Sequence, residues 1–289
     1  MNENTIKDIL LELSEAVGIS GAEMAAIETA SLHFKKYTDS VKTDRFGNLF
    51  AYKYGETNLD QDKITVAMVA HIDEIGAMVT KIEDEGFLRF TAIGGIDPRI
   101  LIGQAVEVHG RSKMKGVIGA VPPHLLTDKE RTKELKTENL FIDIGYKKEQ
   151  ITEFVSIGDY IALEQEPLFL EDGKLITGKA LDNRAGVAAL IMCAAELAGL
   201  RHQVDVCFIA SLQEEVGLRG AVTAAYGLKP DLAVVVDVTH GETPGIGNAE
   251  AFKIGGGPAL GFGPNLHPVL SKQLQDVARQ HLLPYQREP

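Results

Sequence analysis

Four short apolar runs rich in valine, isoleucine and alanine punctuate the chain, at residues 64–70, 204–210, 232–236 and, less continuously, 47–54. Unbroken runs of this length and composition predict strands buried on both faces. Around them, apolar positions recur at helical spacing and predict helices over residues 4–17, 22–37, 185–200 and 218–226. The alternation predicts an α/β fold, a mixed sheet covered by helices.

From about Glu74 to Glu166 the texture changes. Short β-like segments with frequent glycine follow one another (FLRFTAIGG, AVEVHG, KGVIGAVPP, NLFIDIG, DYIALEQEP), with hardly any helical periodicity. They predict a small all-β domain at 74–166 inserted into an α/β domain made of residues 1–73 and 167–289. The charged stretch LLTDKERTKELKTENL inside the insertion reads as a solvated loop or short helix.

Composition narrows the partners. With 289 residues, 45% of them hydrophobic, the chain can bury a full core. Its 29 Lys+Arg against 41 Asp+Glu give a net charge of -12, which repels phosphate backbones and anionic lipid. Nucleic acid and membrane are therefore not expected partners. Cys193 and Cys207 sit inside apolar runs and are expected to be buried free thiols, which suits the reducing cytoplasm. The N-terminus mixes acids into its apolar spacing and lacks the unbroken core of a signal peptide.

Ligands of open α/β sheets bind at the carboxyl ends of the strands. Three apolar runs end there in metal-ligand types: His71 and Asp73 after the first, Glu214 and Glu215 after the second, Asp237 after the third. A fourth acid, Asp182, stands in a turn just before a predicted helix. Taken singly, the histidine would be structural, Asp182 an N-cap, and the glutamates the solvated start of a helix. Their convergence on one edge points instead to a metal centre. Imidazole and carboxylate without cysteine suit catalytic zinc, cobalt or manganese rather than a structural zinc. Two such cations about 3.5–4 Å apart need a bridging carboxylate, and Asp182 is the central candidate. Asp73 lies two residues from His71 on the same side of an extended segment, where it can orient the imidazole. Of the adjacent glutamates, one can ligate while the other shuttles a proton.

At these residues the sequence resembles the TET-type, deblocking or glutamyl aminopeptidase family of dinuclear metallopeptidases. The resemblance rests on VAHIDEIG, GGIDPRIL, GVIGAVPPHL, TGKALDNRAG, SLQEEVGLRGA, VVDVTHGETPG and KIGGGPALG, in that order. It implies a zinc-peptidase-like fold and removal of N-terminal residues from peptides. His71 and Asp237 would hold one metal, Glu215 the other, with Asp182 bridging. Glu214 would be the general base and Asp73 the orienter of His71. The inserted β region would be a dimerisation domain, and the dimers would build a homo-oligomeric dodecamer. Asn183 stands where an aspartate often follows the bridging residue.

Family members usually continue some tens of residues past the point where this sequence stops, and that tail supplies the last histidine of the second metal. The residues named here make five protein attachments where two metals need about six. The second site is accordingly expected to be incomplete, with His240 and His267 the nearby substitutes. Rival expectations are a deacylase of small N-acyl compounds, which the same chemistry would serve, and a non-catalytic assembly subunit. A glycosidase would need two free carboxyls across a sugar-sized gap, and the metal assignments leave no such pair.

Overall fold

The computed structural model describes residues 3–56, 63–245, 247 and 251–289. These divide into two compact units, Met1–Asp237 and Val238–Pro289.

The first unit opens with helices α1 (Glu3–Glu15) and α2 (Met24–Phe34) and strands β1 (Ser40–Thr43), β2 (Leu49–Lys53) and β3 (Thr65–His71). Six strands follow: β4 (Gly76–Ile82), β5 (Leu88–Ile93), β6 (Ala105–His109), β7 (Lys113–Ala120), β8 (Leu140–Asp143) and β9 (Tyr160–Leu163). Short helices α3 (Asp128–Arg131) and α4 (Lys148–Phe154) lie among them. A hairpin of β10 (Leu168–Leu170) and β11 (Leu175–Thr177) leads to α5 (Leu181–Ala198), β12 (Asp205–Ser211), α6 (Arg219–Leu228) and β13 (Leu232–Val235).

The main sheet has the order β1-β2-β12-β3-β13, with β12, β3 and β13 parallel and β2 antiparallel to both its neighbours. Side-chain alternation assigns each face its cover. Val206, Phe208 and Ala210 of β12 pack with α1, α2 and α5 around Leu13, Phe34 and Ile191. Cys207 and Ile209 turn to the other face and meet Ala224 of α6. Because β12 is covered on both faces, its sequence is an apolar run rather than an alternation. α5 is apolar on more than one side for the same reason: it lies between the sheet and α1 and α2, with Val187, Leu190, Ile191 and Ala194 buried. β13 borders the sheet, and its Val235 is 72% exposed.

β4 to β9 pair among themselves in the order β4-β5-β8-β7-β6-β9 and close into a barrel. Alternate inward residues, Val79, Leu88, Val106, Val108, Leu140 and Ile142, form its separate core. The texture change after Glu74 thus falls where the chain leaves the main sheet.

The second unit contains β14 (Ala259–Gly261) and β15 (Gln286–Glu288), parallel and joined through α7 (Pro268–Gln280). Residues 167–289 were expected to continue the domain of residues 1–73 throughout. Past Asp237, β14 and β15 pair with each other within the second unit. β1, β10 and β11 also went unread from the sequence, being only three or four residues long. Among the described residues no helix is long and apolar enough to cross a membrane.

Candidate metal centre

Parallel register assembles the site. Ser211 pairs with His71 and Val235 with Val69, so that Asp237, two residues on, comes level with His71 at the carboxyl edge. Ile72 N donates to Ser211 O at 2.9 Å and Val236 N to Val69 O at 2.8 Å, prolonging both pairings past the strand ends. Asp182 arrives from the start of α5, where the chain is not yet helical (φ -82°, ψ 106°).

Asp182 is not the cap of that helix. Asn183 fills the role: its Oδ1 accepts from Gly186 N at 3.0 Å, while its Nδ2 donates to Val236 O at 2.8 Å. The capping residue therefore ties the helix start to the segment carrying Asp237, and Asp182 is left free for other contacts. Its Oδ1 lies 3.0 Å from His71 Nε2. Asp237 Oδ1 is 3.8 Å and Glu214 Oε2 3.9 Å from the same nitrogen. Ligand atoms of His71, Asp182 and Asp237 lie within 4.8 Å of one another, and so do those of His71, Glu214 and Glu215.

The electrostatics call for positive charge. Burial alone would lower the His71 pKa, yet contacts with Asp182, Asp73 and Asp237 raise it to about 10. Burial first, then the charge of Asp182, pushes Glu215 up to about 7. Burial likewise raises Glu214, with Asp237, Asp73 and Asp182 adding to the effect. Five carboxylates, Asp73, Asp182, Glu214, Glu215 and Asp237, thus crowd one imidazole. A divalent cation answers that crowding better than a proton does, and the oxygen and nitrogen donors match zinc, cobalt or manganese. Beside the site an apolar cavity of about 180 Å³ lies under α6, walled by Ala67, Val69, Ile209, Leu218 and Ala233, with His71, Glu214 and Asp237 also lining it. An apolar wall of this kind strengthens charge interactions at its edge.

Asp73 is fully buried. Its Oδ1 faces His71 Nδ1 at 3.4 Å, an ion-pair contact too poorly formed for a hydrogen bond, and that nitrogen has no other partner. Asp73 also accepts from Glu214 N at 2.9 Å and Glu215 N at 3.2 Å, so it fixes the glutamate loop as well as the imidazole. Burial opposes its ionisation, but His71, Ser20 and the Glu214 amide hold its pKa below the usual carboxylate value.

Several residues of the setting escaped the sequence reading. Arg184, wholly buried, donates from Nε to Ile72 O at 2.5 Å and from Nη1 to Leu13 O at 2.5 Å and Ala16 O at 2.9 Å. It braces the residue after His71 against the end of α1. Asn48 Oδ1 accepts from Leu212 N at 3.0 Å, anchoring the other end of the glutamate loop. Gln213 in that loop has φ 53°, a left-handed conformation costing a non-glycine residue roughly 1–2 kcal/mol, as befits a segment held by its surroundings. From the barrel, Gly94 (φ +80°) comes so near that a Cβ there would lie 3.3 Å from Glu215 Cβ and 3.4 Å from Glu215 Oε2. The available signal was a glycine pair, Gly94-Gly95, in an otherwise β-like segment. His240 and His267 belong to the second unit, where His267 caps α7 by accepting from Leu270 N at 3.3 Å.

One imidazole and five carboxylates at the edge of a parallel sheet define a metallohydrolase. The family description M42 glutamyl aminopeptidase matches residues 47–289. The chain is 32% identical over 287 residues to the lysyl aminopeptidase of Pyrococcus furiosus, covering 98% of this chain and 80% of that one. Its structure superposes on the TET aminopeptidase of the marine sediment archaeon Thaumarchaeota archaeon SCGC AB-539-E09 with TM-score 0.91 and 31% identity, covering 98% and 81% of the two chains. The TET1 peptidase of Pyrococcus horikoshii, which can assemble into a tetrahedron or a large octahedral shell, superposes with TM-score 0.84 and 32% identity, covering 98% and 83%. The chain belongs to the M42 glutamyl aminopeptidase family: it is a metal-dependent aminopeptidase, hydrolysing peptides from their N-termini.

Proposed function

We propose that the aminopeptidase works with two divalent cations, zinc or cobalt, with manganese as a third candidate. His71 and Asp237 would hold one, Glu215 the other, and Asp182 would serve both. The observation that carries this reading is the convergence of His71, Asp182, Glu214, Glu215 and Asp237 within a few ångströms at one strand edge. When bound, the cations polarise the scissile carbonyl and make water acidic enough to lose a proton near neutral pH. Glu214 takes that proton and returns it to the leaving amine nitrogen. Glu215 is assigned as the ligand and Glu214 as the base by the family resemblance, and Gly94 packs close to Glu215. The surplus of carboxylates also suits the cationic α-amine of a peptide substrate.

The remaining assignments follow from the setting. A cytoplasmic location agrees with the free thiols of Cys193 and Cys207. The barrel serves association between copies of the chain: it holds no metal-type cluster among the described residues and exposes Ile100, Ile102, Val117, Val121 and Leu125. The shell-like assembly of the P. horikoshii relative and the dodecamer of another TET1 structure similar to this chain support a homo-oligomer, with the dodecamer the expected state. The test is to strip the protein with a chelator and titrate zinc, cobalt and manganese back while assaying a panel of aminoacyl chromogenic substrates. Activity should vanish on stripping and return as a second equivalent per chain binds, at a higher cation concentration than the first because Glu215 and Asp182 bring no imidazole to that site. Full activity at one equivalent would overturn the two-cation reading.

A further inference from the structure

We propose that Ser20 is a positioning residue for the hydrolysis, acting through Asp73. Its hydroxyl donates to Asp73 Oδ2 at 2.6 Å. That oxygen has one other donor, the Glu215 amide, while Oδ1 serves the Glu214 amide and faces His71. The buried carboxylate is thus the point where three chain segments meet: the end of β3, the glutamate loop and the turn carrying Ser20. This inference rests on the assignment of His71, Glu214 and Glu215 to the metal centre.

The turn is not a loose loop that happens to touch Asp73. Ile19 makes a parallel bridge with Glu74, the residue after Asp73. Ser20 N donates to Glu74 O at 3.3 Å, and Glu74 N donates to Gly18 O at 2.9 Å. Glu74 Oε1 accepts from Gly18 N at 2.9 Å, and both its oxygens accept from Lys179 Nζ. Ala22 N closes the turn on Ile19 O at 2.7 Å, and the buried Glu23 accepts from Gly21 N at 2.7 Å. The backbone therefore sets the place of the Ser20 hydroxyl, and the hydroxyl sets the rotation of the Asp73 carboxylate. A buried carboxylate has strong need of such donors, since a charge-assisted hydrogen bond removed there is not replaced by water. Without the hydroxyl, Asp73 can turn about its Cβ–Cγ bond, loosening its hold on the imidazole and the glutamate loop together. Outer partners of metal-binding groups typically matter by about 10–100-fold in affinity or activity.

Ser20→Ala, Ser20→Thr and Asp73→Asn, with the double variant Ser20→Ala/Asp73→Asn, test this in the full chain. The readouts are kcat, KM, metal retention against a competing chelator, and thermal unfolding. Ser20→Ala should lower kcat and metal retention about 10–100-fold, with KM changed less than about threefold and an unfolding midpoint close to the parent's. Ser20→Thr, which keeps the hydroxyl, should recover most of both losses. In the Asp73→Asn background, Ser20→Ala should have less than a twofold further effect, because the group it acts through is already altered. Three results would overturn the proposal: kcat and metal retention within twofold of the parent in Ser20→Ala, no recovery in Ser20→Thr, or an undiminished effect beside Asp73→Asn. Should Ser20→Ala fail to fold, the comparison of Ser20→Thr with Ser20→Cys, of similar size to serine but a weak donor, decides in the same way. Glu214→Gln serves as control: if it retains activity the metal-centre assignment falls with the proposal, whereas a dead Glu214→Gln beside a silent Ser20→Ala overturns Ser20 alone.

Discussion

At the carboxyl edge of β3 and β12 the chain changes from apolar to acidic within a few residues, and Asp237 follows β13 in the same manner. In the barrel, by contrast, β5 runs into Gly94-Gly95 and β7 into Val121-Pro122-Pro123. Both regions bury alternate or continuous apolar residues around a core, so packing alone does not distinguish them. The difference lies in strand direction. Parallel strands deliver all their carboxyl ends to one edge, where ligands from distant parts of the chain can meet. Antiparallel barrel strands send successive ends to opposite rims, and no comparable cluster forms there among the described residues. The barrel nonetheless reaches the site at one point, Gly94 beside Glu215.

The largest effect should come from the sheet edge. Asp182→Ala should release both cations and with them essentially all turnover, because it is the residue proposed to touch both. Metal analysis after dialysis gives the answer, and either cation retained at parental affinity would end the bridging role. Glu214→Gln should come next, with kcat lowered by about 10²–10⁴ and metal content unchanged. Should the variant lose metal but keep its turnover per bound metal, Glu214 and Glu215 have exchanged roles.

How far the molecule could be read from its sequence follows the same division. The buried strands and the helices covering them were legible, since a run such as Val206–Ala210 needs cover on both faces and states this in its composition. The acids and histidine at the strand ends were legible because the rule for parallel sheets says where to look. Ser20, Asn48 and Arg184 were not, because each acts across a long sequence separation: Ser20 on Asp73, Asn48 on Leu212, Arg184 on Ile72, Leu13 and Ala16. Nothing in local periodicity encodes such pairings. Asn183 escaped for a subtler reason. The sequence offered a cap at Asp182, whereas the side chain that caps is the next one, Asn183, and Asp182 instead contacts His71. The pairing of β14 with β15 was illegible because each strand is three residues long and α7 separates them in the sequence.

Gly94→Ala would sharpen the contrast from the barrel side. The added Cβ would lie 2.7 Å from Ile75 Cγ2, and φ +80° is itself unfavourable for alanine. Relief requires the β5 loop to move away from Glu215. A displacement of about 1 Å near reacting groups can lower rate by up to about a hundredfold, so a fall in kcat/KM of about tenfold or more is expected, with the barrel still folded. Unchanged kinetics in a correctly folded variant would mean that the barrel contributes nothing at the metal centre.

Ile142→Ala separates the barrel's loop from its interior and should have the smallest effect on chemistry. Ile142 is fully buried on β8, paired in register with Leu88 and Ile118, and a Cβ on Gly116 would lie 2.8 Å from its Cγ2. Truncation leaves a cavity in a closed structure whose backbone cannot collapse freely, at a typical cost of about 2–5 kcal/mol. That loss falls on the barrel's own core, which shares no buried side chain with the core beneath the main sheet. Urea unfolding should therefore show a weakened barrel, and if the barrel joins copies of the chain, sedimentation should show a smaller assembly at low protein concentration. Under conditions where the variant remains folded, kcat per bound metal should stay within about twofold of the parent, since additivity holds for well-separated sites. A loss of kcat equal to that of Gly94→Ala would show that the sheet edge depends on the packing of the barrel as a whole, and the division between a catalytic edge and an associating barrel would have to be given up.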